Sequence, residues 1–528
     1  MLPGMNILVI YTGGTIGCVG DPLSPMPGPA FEAAFRKHVV PIVDNEYPKD
    51  PRCHFEFVYF TPTLDSTNMQ PADWCEIAEK VLEHYGRHDA FIVLHGTDSM
   101  AWTASALSFL LGGLQPSGLP LATLTKPVIV TGSQLPLFHQ QDRTSDSELL
   151  FNTDALQNVC GAVASAVAGI AEVGLYFNGT LMRGNRAVKT NANEFAAFSS
   201  PNYPPLAQAG VQFVQQVQNL LAPALSGRAL DEHAPAVLAQ VRALKQIITG
   251  VNVITFPAFP AWARSPTAPQ GALIANVLQA SLDQGVTGLV LESYGAGNFP
   301  SGNPAQANQG AIYRVLKSAS DRGVVIVDCT QVLAGNVNAT LYAAGSWLGE
   351  CKVVGANDMS PIAALAKLLV LQGLDQACGF GWPPARVREL MQRSLAGEIV
   401  EVDRLASFGP GFLAPGQSLS SLDGSVQLRN DPMHGPTVVL HPGPDETTAP
   451  LLNTSGVQMP GRLHVAHDGT VTFTDRINTV VHVWPPGRPT RACQLALSGE
   501  KGTHPTLQVL DVATNEPVST LYPPAGGA

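Results

Sequence analysis

Two threonines, Thr15 and Thr97, each follow a run of apolar residues that predicts a buried strand. The runs cover residues 7–11 and 90–94. Uninterrupted apolar runs of this length are typical of strands buried on both faces of a parallel sheet. Such sheets bind ligands at the carboxyl ends of their strands, so both hydroxyls are predicted to lie at a ligand-binding edge. Considered alone, each turn is also compatible with an ordinary strand–helix connection.

The residues after Thr97 predict the start of a helix that continues through Trp102 and Leu107. The amides and the macrodipole at a helix N-terminus favour an anion, so Thr97 and Asp98 could bind one. Asp98 could instead serve only as the N-cap of that helix. The neighbouring His95 is better explained as a hydrogen-bonded core histidine than as a catalyst.

Two other polar segments are ambiguous from the residues alone. Ser66 and Thr67 lie in a loop that precedes a helix predicted to begin at Pro71. Hydroxyl residues before a helix are most often caps, which favours a structural role. Lys189 lies in a segment with several basic residues, 183–191, that could be a solvated surface.

The elements that must position these residues form an α/β fold. Strands that alternate with helices over residues 1–213 predict a doubly wound α/β domain. A second doubly wound α/β domain is predicted over residues 246–403, after a linker at 214–245 that is rich in Ala, Gln and Leu. The glycine-rich residues 295–300 lack the last glycine of a dinucleotide fingerprint, so no nicotinamide site is expected.

The last part of the chain, residues 404–528, has a different character. Pro, Gly, Thr and Val dominate, helical periodicity stops, and short segments alternate between apolar and polar residues. This pattern predicts a small all-β domain.

Composition limits the classes of partner and the location. The chain has 528 residues, a formal net charge of −11 and no basic cluster, which argues against a nucleic-acid partner. The N-terminal apolar run is too short for a signal-peptide core or a membrane span, so no membrane association is expected. The eight cysteines have no paired or metal-like spacing, which favours free thiols in a reducing compartment. The expected location is therefore the cytoplasm.

Six motifs, taken in order along the chain, resemble the bacterial-type L-asparaginase family and most closely its cytosolic type I branch. They are YTGGTIG at 11–17, LDSTNM at 64–69, LHGTDSMAWTASALSFLL at 94–111, KPVIVTGSQLP at 126–136, RGNRAVKTN at 183–191 and SYGAGN at 293–298. The resemblance covers roughly residues 5–403. Several long motifs in the same order are a far more specific signal than any one of them.

The resemblance implies a catalytic role for four residues. Thr15 would be the nucleophile that forms an acyl-enzyme and releases ammonia. Thr97, Asp98 and Lys189 would form a relay in which a neutral Lys189 accepts a proton through Thr97.

Substrate contacts are implied in the same way. Amides near Gly96 and Thr97 would stabilise the oxyanion. Ser66 would bind the α-carboxylate of the substrate, and Asp98 would bind its α-ammonium group. Thr67 matches the position of a second residue that contacts the substrate.

Asn298 matches a family residue that approaches the site from a neighbouring subunit. The resemblance therefore implies self-association as a homodimer or homotetramer. It implies no metal and no organic cofactor.

Two departures from the family pattern concern regulation and access. The mobile lid of the family normally carries a tyrosine that contacts the nucleophile, but residues 20–28 contain none, and Leu23 is the nearest counterpart. Tyr11 belongs to the predicted buried strand and is not expected to replace it. Residues 143–148 replace an Arg-Ser-Asp-Gly run found in many type I relatives, so regulatory binding of asparagine is not assumed.

The C-terminal tail carries a weaker resemblance. Residues 413–428 and 463–484 are similar to a bulb-type mannose-binding lectin domain, but only Asp468 remains of its sugar-binding pattern. Carbohydrate binding by the tail is therefore doubtful. A β-rich appendage for packing or oligomerisation is an equal alternative.

The expected function is hydrolysis of L-asparagine to L-aspartate and ammonia, with lesser hydrolysis of L-glutamine. The two substrates differ by one methylene, which a pocket discriminates by only about 1–3 kcal/mol. One alternative is an asparaginase associated with lysophospholipase activity, as in animal relatives, although a GxSxG nucleophile motif is absent. Another is a non-catalytic amino-acid-binding or carbohydrate-binding protein on an asparaginase scaffold, which the missing lid tyrosine favours.

Overall fold

The computed structural model describes most of the chain in two compact units. The described residues are 4–46, 52–140, 146–221, 227–260, 272–337, 343–407, 412–421, 425–442, 446–488, 490, 493–499, 504–512 and 515–523. The first unit comprises Met1–Gln216 and Pro223–Ile399, and the second comprises Val217–Ala222 and Val400–Ala528. Within the described ranges, no helix combines the length and the apolar composition that a bilayer-spanning segment requires.

An eight-stranded sheet forms the centre of the N-terminal half of the first unit. Its strands are, in spatial order, Phe213–Gln215, Ala207–Ala209, Thr180–Arg183, Val173–Phe177, Val128–Thr131, Ala90–Leu94, Met5–Gly13 and Cys53–Leu64. The last five are parallel, and the first three extend the sheet in antiparallel pairs. The helices of this half are Gly28–His38, Val40–Glu46, Pro71–His84, Met100–Leu110 and Ala155–Val167. The predicted α/β architecture is confirmed, and the antiparallel extension is an addition to it.

The strand Met5–Gly13 lies between Cys53–Leu64 and Ala90–Leu94. Its residues 7–11 are at most 1% exposed, because packing on both faces of the sheet excludes water, as the apolar run predicts. Tyr11 pairs with Leu94 in a parallel register. The segments that follow these two residues are therefore side by side at one edge of the sheet.

A smaller parallel sheet forms the C-terminal half of the first unit. Its strands are, in spatial order, Val253–Pro257, Gly288–Ser293, Val325–Thr330 and Val354–Gly355. The helices of this half are Ala272–Leu282, Ala311–Asp321, Ala343–Ser346, Pro361–Cys378 and Pro384–Met391. The second predicted α/β region is thus also confirmed.

Residues 214–245, for which the sequence predicts a linker, contain most of the helix Leu230–Ile247. The buried side chains of this helix are Leu230, Ala234, Val237, Val241 and Leu244. They belong to a hydrophobic core that also includes residues of both α/β halves. Ala and Gln between the apolar positions, and Pro235 inside the helix, weaken its periodicity in the sequence. The structure therefore places a packed helix where the sequence predicts a loose connection.

The described residues of the second unit form three antiparallel sheets of four strands each. Their strands are Arg404–Ala406, Cys493–Ser498, Thr506–Asp511 and Pro517–Tyr522; Phe412–Leu413, Arg462–Val465, Val471–Thr474 and Val480–Trp484; and Ser418–Ser420, Val426–Asp431, Gly435–Leu440 and Thr447–Pro450. Alternating apolar residues such as Leu428, Phe473 and Leu495 form its core. The predicted all-β character is confirmed, whereas the lectin resemblance stays a prediction.

Candidate active site

Glycines bring the carboxyl ends of the strands Met5–Gly13 and Ala90–Leu94 together next to Thr15. Gly13 and Gly14 have φ angles of +119° and +79°, which residues other than glycine rarely adopt. A Cβ on Gly14 would collide with the backbone of Gly96. Thr15 follows directly and begins the 3-10 turn Thr15–Gly17, in which it is half-buried. The two glycines thus place the predicted nucleophile next to the His95–Thr97 segment.

A second 3-10 turn, Ser66–Asn68, brings Ser66 to the same place. Asp65 stabilises this turn, because its Oδ1 accepts hydrogen bonds from the Thr67 amide and the Thr67 hydroxyl, both at 2.9 Å. The buried Ser66 Oγ would lie 2.5 Å from a Cβ on Gly96. Ser66 and Gly96 are therefore in close contact, whereas the exposed Thr67 hydroxyl bonds to Asp65.

The predicted relay residues form direct hydrogen bonds. Lys189 Nζ donates to Thr97 Oγ1 at 2.9 Å and to Asp98 Oδ1 at 2.8 Å. The Lys189 side chain is 20% exposed and Asp98 58%. The alternative that Lys189 belongs to a solvated surface is therefore wrong. Asp98 is not the helix N-cap either, because Ser99 occupies that position before the helix Met100–Leu110.

Gln134 joins this group, although it was not among the site residues predicted from the sequence. Thr97 Oγ1 donates to Gln134 Oε1 at 3.4 Å, and Gln134 Nε2 donates to the Glu194 carbonyl at 3.3 Å. The carboxylate of Asp154 accepts bonds from the Gln134 and Leu135 amides. Gln134 lies in the TGSQ motif, just after a strand of the sheet, and this position is the sequence signal that could have identified it.

The side chain of His95 forms a hydrogen bond to the backbone of the site. It is fully buried, and burial lowers the pKa of its imidazole to about 4. The neutral ring donates from Nδ1 to the Gly96 carbonyl at 2.7 Å and accepts at Nε2 from the Thr103 hydroxyl at 2.9 Å. The interpretation as a core histidine agrees with these contacts, which orient the Gly96 peptide.

The segment predicted as a lid is a short antiparallel hairpin with strands Cys18–Val19 and Ser24–Pro25. Leu23 lies at its tip and is 56% exposed. Tyr11 lies beneath the hairpin, stacked on Phe31, and its hydroxyl donates to the Met26 carbonyl at 3.1 Å. Tyr11 therefore supports the base of the hairpin, as expected of a residue in the buried strand.

Asn298 lies in the C-terminal half, in the turn that follows the strand Gly288–Ser293. Its described hydrogen bonds are two backbone bonds to Tyr294, at 2.9 and 3.1 Å. The structure thus brings together the other predicted site residues and leaves Asn298 in a separate turn. Residues 143–145, part of the run that departs from the family pattern, lie outside the described residues.

The arrangement provides the elements of nucleophilic catalysis. Thr15 begins the turn after one strand, and the Thr97 hydroxyl, which follows the adjacent strand, accepts a hydrogen bond from the Lys189 side chain, which also pairs with Asp98. The close approach of Gly14 to the backbone of Gly96 brings the two segments together. These are the groups that an acyl transfer requires.

Comparisons with known proteins identify the family of this chain. Residues 6–219 match the N-terminal asparaginase domain, and residues 272–378 match the glutaminase/asparaginase C-terminal domain. The chain is similar to L-asparaginase 1 of Escherichia coli, with 35% identity over 75% of this chain and 99% of that protein. It is also similar to the human 60 kDa lysophospholipase, with 32% identity over 81% of this chain and 68% of that protein.

The fold has a solved counterpart in L-asparaginase I from Vibrio cholerae. The two are 31% identical, the match covers 75% of this chain and 99% of that chain, and the TM-score is 0.56. The protein is thus a hydrolase of the class that acts on amides. The chain belongs to the asparaginase family.

Proposed function

We propose that the protein hydrolyses L-asparagine to L-aspartate and ammonia, with lesser activity on L-glutamine. The observation that carries this proposal is the hydrogen-bonded group of Lys189, Thr97 and Asp98 next to the turn that begins at Thr15. Membership of the asparaginase family and similarity to L-asparaginase 1 support the choice of substrate.

In the proposed reaction the Thr15 hydroxyl attacks the side-chain amide carbon of the substrate. Its proton passes by way of Thr97 to a neutral Lys189, which then returns a proton to the leaving nitrogen, and that nitrogen departs as ammonia. Water then hydrolyses the Thr15 ester, which releases aspartate and restores the hydroxyl. Amides near Gly96 and Thr97 stabilise the oxyanion in both steps.

Substrate binding is assigned to residues around these groups. Ser66 binds the α-carboxylate, and the carboxylate of Asp98, which is accessible to solvent, binds the α-ammonium group. Gly96 leaves the space that the substrate needs between Ser66 and Thr15, and Thr67 provides a further contact. No step of this reaction requires a metal or an organic cofactor.

The test is ammonia release from L-asparagine and L-glutamine by the wild type, by Thr15→Ala and by Thr15→Ser. Removing the nucleophile is expected to reduce kcat by about 10⁴-fold or more, whereas serine retains the hydroxyl and part of the activity. The release of fatty acid from a lysophospholipid is measured beside it, because one relative carries that name. A folded wild type that releases no ammonia, or equal rates for wild type and Thr15→Ala, would contradict the proposal.

We also propose a homodimer or homotetramer in which Asn298 completes the site of a neighbouring subunit. Its position in a separate turn from the other site residues supports this assignment. Mixing an inactive Thr15→Ala chain with an Asn298→Ala chain should then restore part of the activity, because one mixed site contains both native residues. If subunits exchange and no activity returns, the shared site is wrong.

The proposed location is the cytoplasm. None of the eight cysteines, all of which lie in described parts of the chain, forms a disulfide. This agrees with a reducing compartment. Fractionation of the expressing cells tests it.

A further inference from the structure

Lys189 lies on a strand of only two residues, Val188–Lys189, which pairs with Phe198–Ser199 and not with the large sheet. A two-residue ladder gives a segment little positional stability of its own. The Lys189 Nζ atom must nevertheless stay within 2.9 Å of both Thr97 Oγ1 and Asp98 Oδ1. Other contacts must therefore fix it, and the preceding residues supply them.

The preceding residues pack on the helix that follows Thr97. A Cβ on Gly184 would lie 3.1 Å from the Ala104 carbonyl oxygen and 3.0 Å from that of Val173. Glycine therefore allows this segment to approach the helix Met100–Leu110 closely. Because Thr97 and Asp98 directly precede that helix, this contact helps to set the distance between the two sides of the relay.

Two side chains of the same segment bond to the C-terminal half. Arg186 Nε donates to the Gly397 carbonyl at 2.8 Å, and Asn185 Nδ2 donates to the Ala396 carbonyl at 2.8 Å. Arg186 Nη1 also donates to Asp358 Oδ2 at 2.8 Å. The two acceptors of Arg186 lie on different segments, so its planar guanidinium is held in one orientation.

A buried ion pair supports the loop that carries these carbonyl groups. Glu398 accepts bonds from the Leu395 amide at 3.0 Å and the Ala396 amide at 2.8 Å, and Lys367 Nζ lies 2.7 Å from its carboxylate. Both charged side chains are fully buried. Burial alone would raise the pKa of Glu398, but Lys367 and the two amides hold it below its ordinary value. The carboxylate thereby holds the two peptides that directly precede the carbonyl groups bound by Asn185 and Arg186.

We propose that Arg186 is a positioning residue for the proton relay, which holds Lys189 against Thr97 through its bonds to Gly397 and Asp358. This inference rests on the proposed amidohydrolase function and assigns the C-terminal half of the same chain a part in it. Arg186 acts through Lys189 and does not contact the substrate.

Arg186→Lys is the first test, because lysine retains the charge but not the planar set of donors. We expect kcat for asparagine to fall about 10- to 100-fold, as for a displaced catalytic group, while KM changes by less than about 3-fold. The decisive measurement is a double-mutant cycle with Lys189→Met. In that background Arg186→Lys should change the residual rate by less than about 2-fold. An equal loss in both backgrounds, or no loss in either, would overturn the inference.

Two further variants complete the design. Asp358→Asn removes one charged acceptor and should lower kcat less than Arg186→Lys does. If Arg186→Lys does not fold, Asp358→Asn takes its place in the double-mutant cycle. Arg404→Lys changes a partly buried arginine paired with Glu401 in the second unit and should keep the wild-type rate. A wild type without Thr15-dependent ammonia release would refute the proposed function, whereas an active wild type with an unaffected Arg186→Lys refutes only this inference.

Discussion

The carboxyl ends of the two parallel sheets carry similar pairs of side chains in different surroundings. In the N-terminal half, Thr97 and Asp98 follow a buried strand and both bond to Lys189. In the C-terminal half, the hydroxyl of Ser293 donates to Asp328 Oδ1 on the neighbouring strand. Both edges therefore place a hydroxyl near a carboxylate.

The difference lies in access and in the counter-ion. Asp98 is 58% exposed and pairs with an ammonium group, whereas Asp328 is 1% exposed. Burial raises the pKa of Asp328 to about 7, against the opposing effect of the bond from Ser293. Among the described residues, Asp328 Oδ2 has no hydrogen-bond partner. Strand topology thus brings polar groups to the carboxyl ends of both sheets. The N-terminal half adds glycines that allow close approach and a cation that pairs with the carboxylate, as a catalytic site requires.

Removing the cation should make the N-terminal edge resemble the C-terminal one. Lys189→Met deletes the partner of Thr97 and Asp98, so kcat for asparagine should fall about 10²- to 10⁴-fold, the usual range for general acid–base groups. The control is Lys245→Met, which removes an ammonium group that pairs with Glu79, outside the predicted site residues. This variant should retain the wild-type rate. A fully active Lys189→Met variant would show that the relay is assigned wrongly.

At the C-terminal edge the expected effect is on stability and depends on pH. The folded state binds the Asp328 proton more tightly than the unfolded state, so the free energy of unfolding should fall as pH rises from about 4 to 7. Asn does not titrate. Relative to the wild type, Asp328→Asn should therefore gain about 4 kcal/mol between pH 4 and pH 8, measured by urea denaturation.

The control for this prediction is Asp321→Asn. The hydrogen bond from Lys317 holds the pKa of exposed Asp321 below its ordinary value, so its substitution should change the pH profile in the opposite direction. Parallel profiles for the wild type and Asp328→Asn would mean that Asp328 stays ionised in the folded protein.

The smallest expected effect comes from Ser293→Ala. This variant removes the hydroxyl that bonds to Asp328 and should cost about 1–2 kcal/mol of unfolding free energy at pH 5. Ser320→Ala is a matched control, because the buried Ser320 Oγ has no hydrogen-bond partner in the described part of the chain. Equal stability losses for the two variants would show that the hydrogen bond from Ser293 to Asp328 does not contribute to the free energy of unfolding.

The features that depend on neighbouring residues were predictable from the sequence. The strand Ala90–Leu94 has the predicted bounds, because an apolar run bounded by polar residues is a local signal. The positions of Thr15 and Thr97 at one sheet edge follow from the parallel arrangement of their strands. The convergence of Thr15, Ser66 and Gly96 was therefore within reach of sequence reasoning.

The features that depend on distant partners were not predictable from the residues alone. Gln134 has a role only because it lies between Thr97 and the loop at Glu194. In the sequence, Arg186 and Lys189 resembled part of a solvated surface, since their acceptors lie between 91 and 211 residues away. The helix Leu230–Ile247 is stabilised by packing against other elements, which its weak periodicity does not reveal.

The bonds from Asn185 and Arg186 to residues 396 and 397 each span 211 residues of sequence. During synthesis the donors leave the ribosome long before their acceptors exist, while the parallel strands around Thr15 can already pair. Contacts between such distant residues form late, because a long loop must close first. A nascent chain would therefore contain a folded nucleophile turn without a fixed Lys189, and full activity would be reached only after residue 397 has been made.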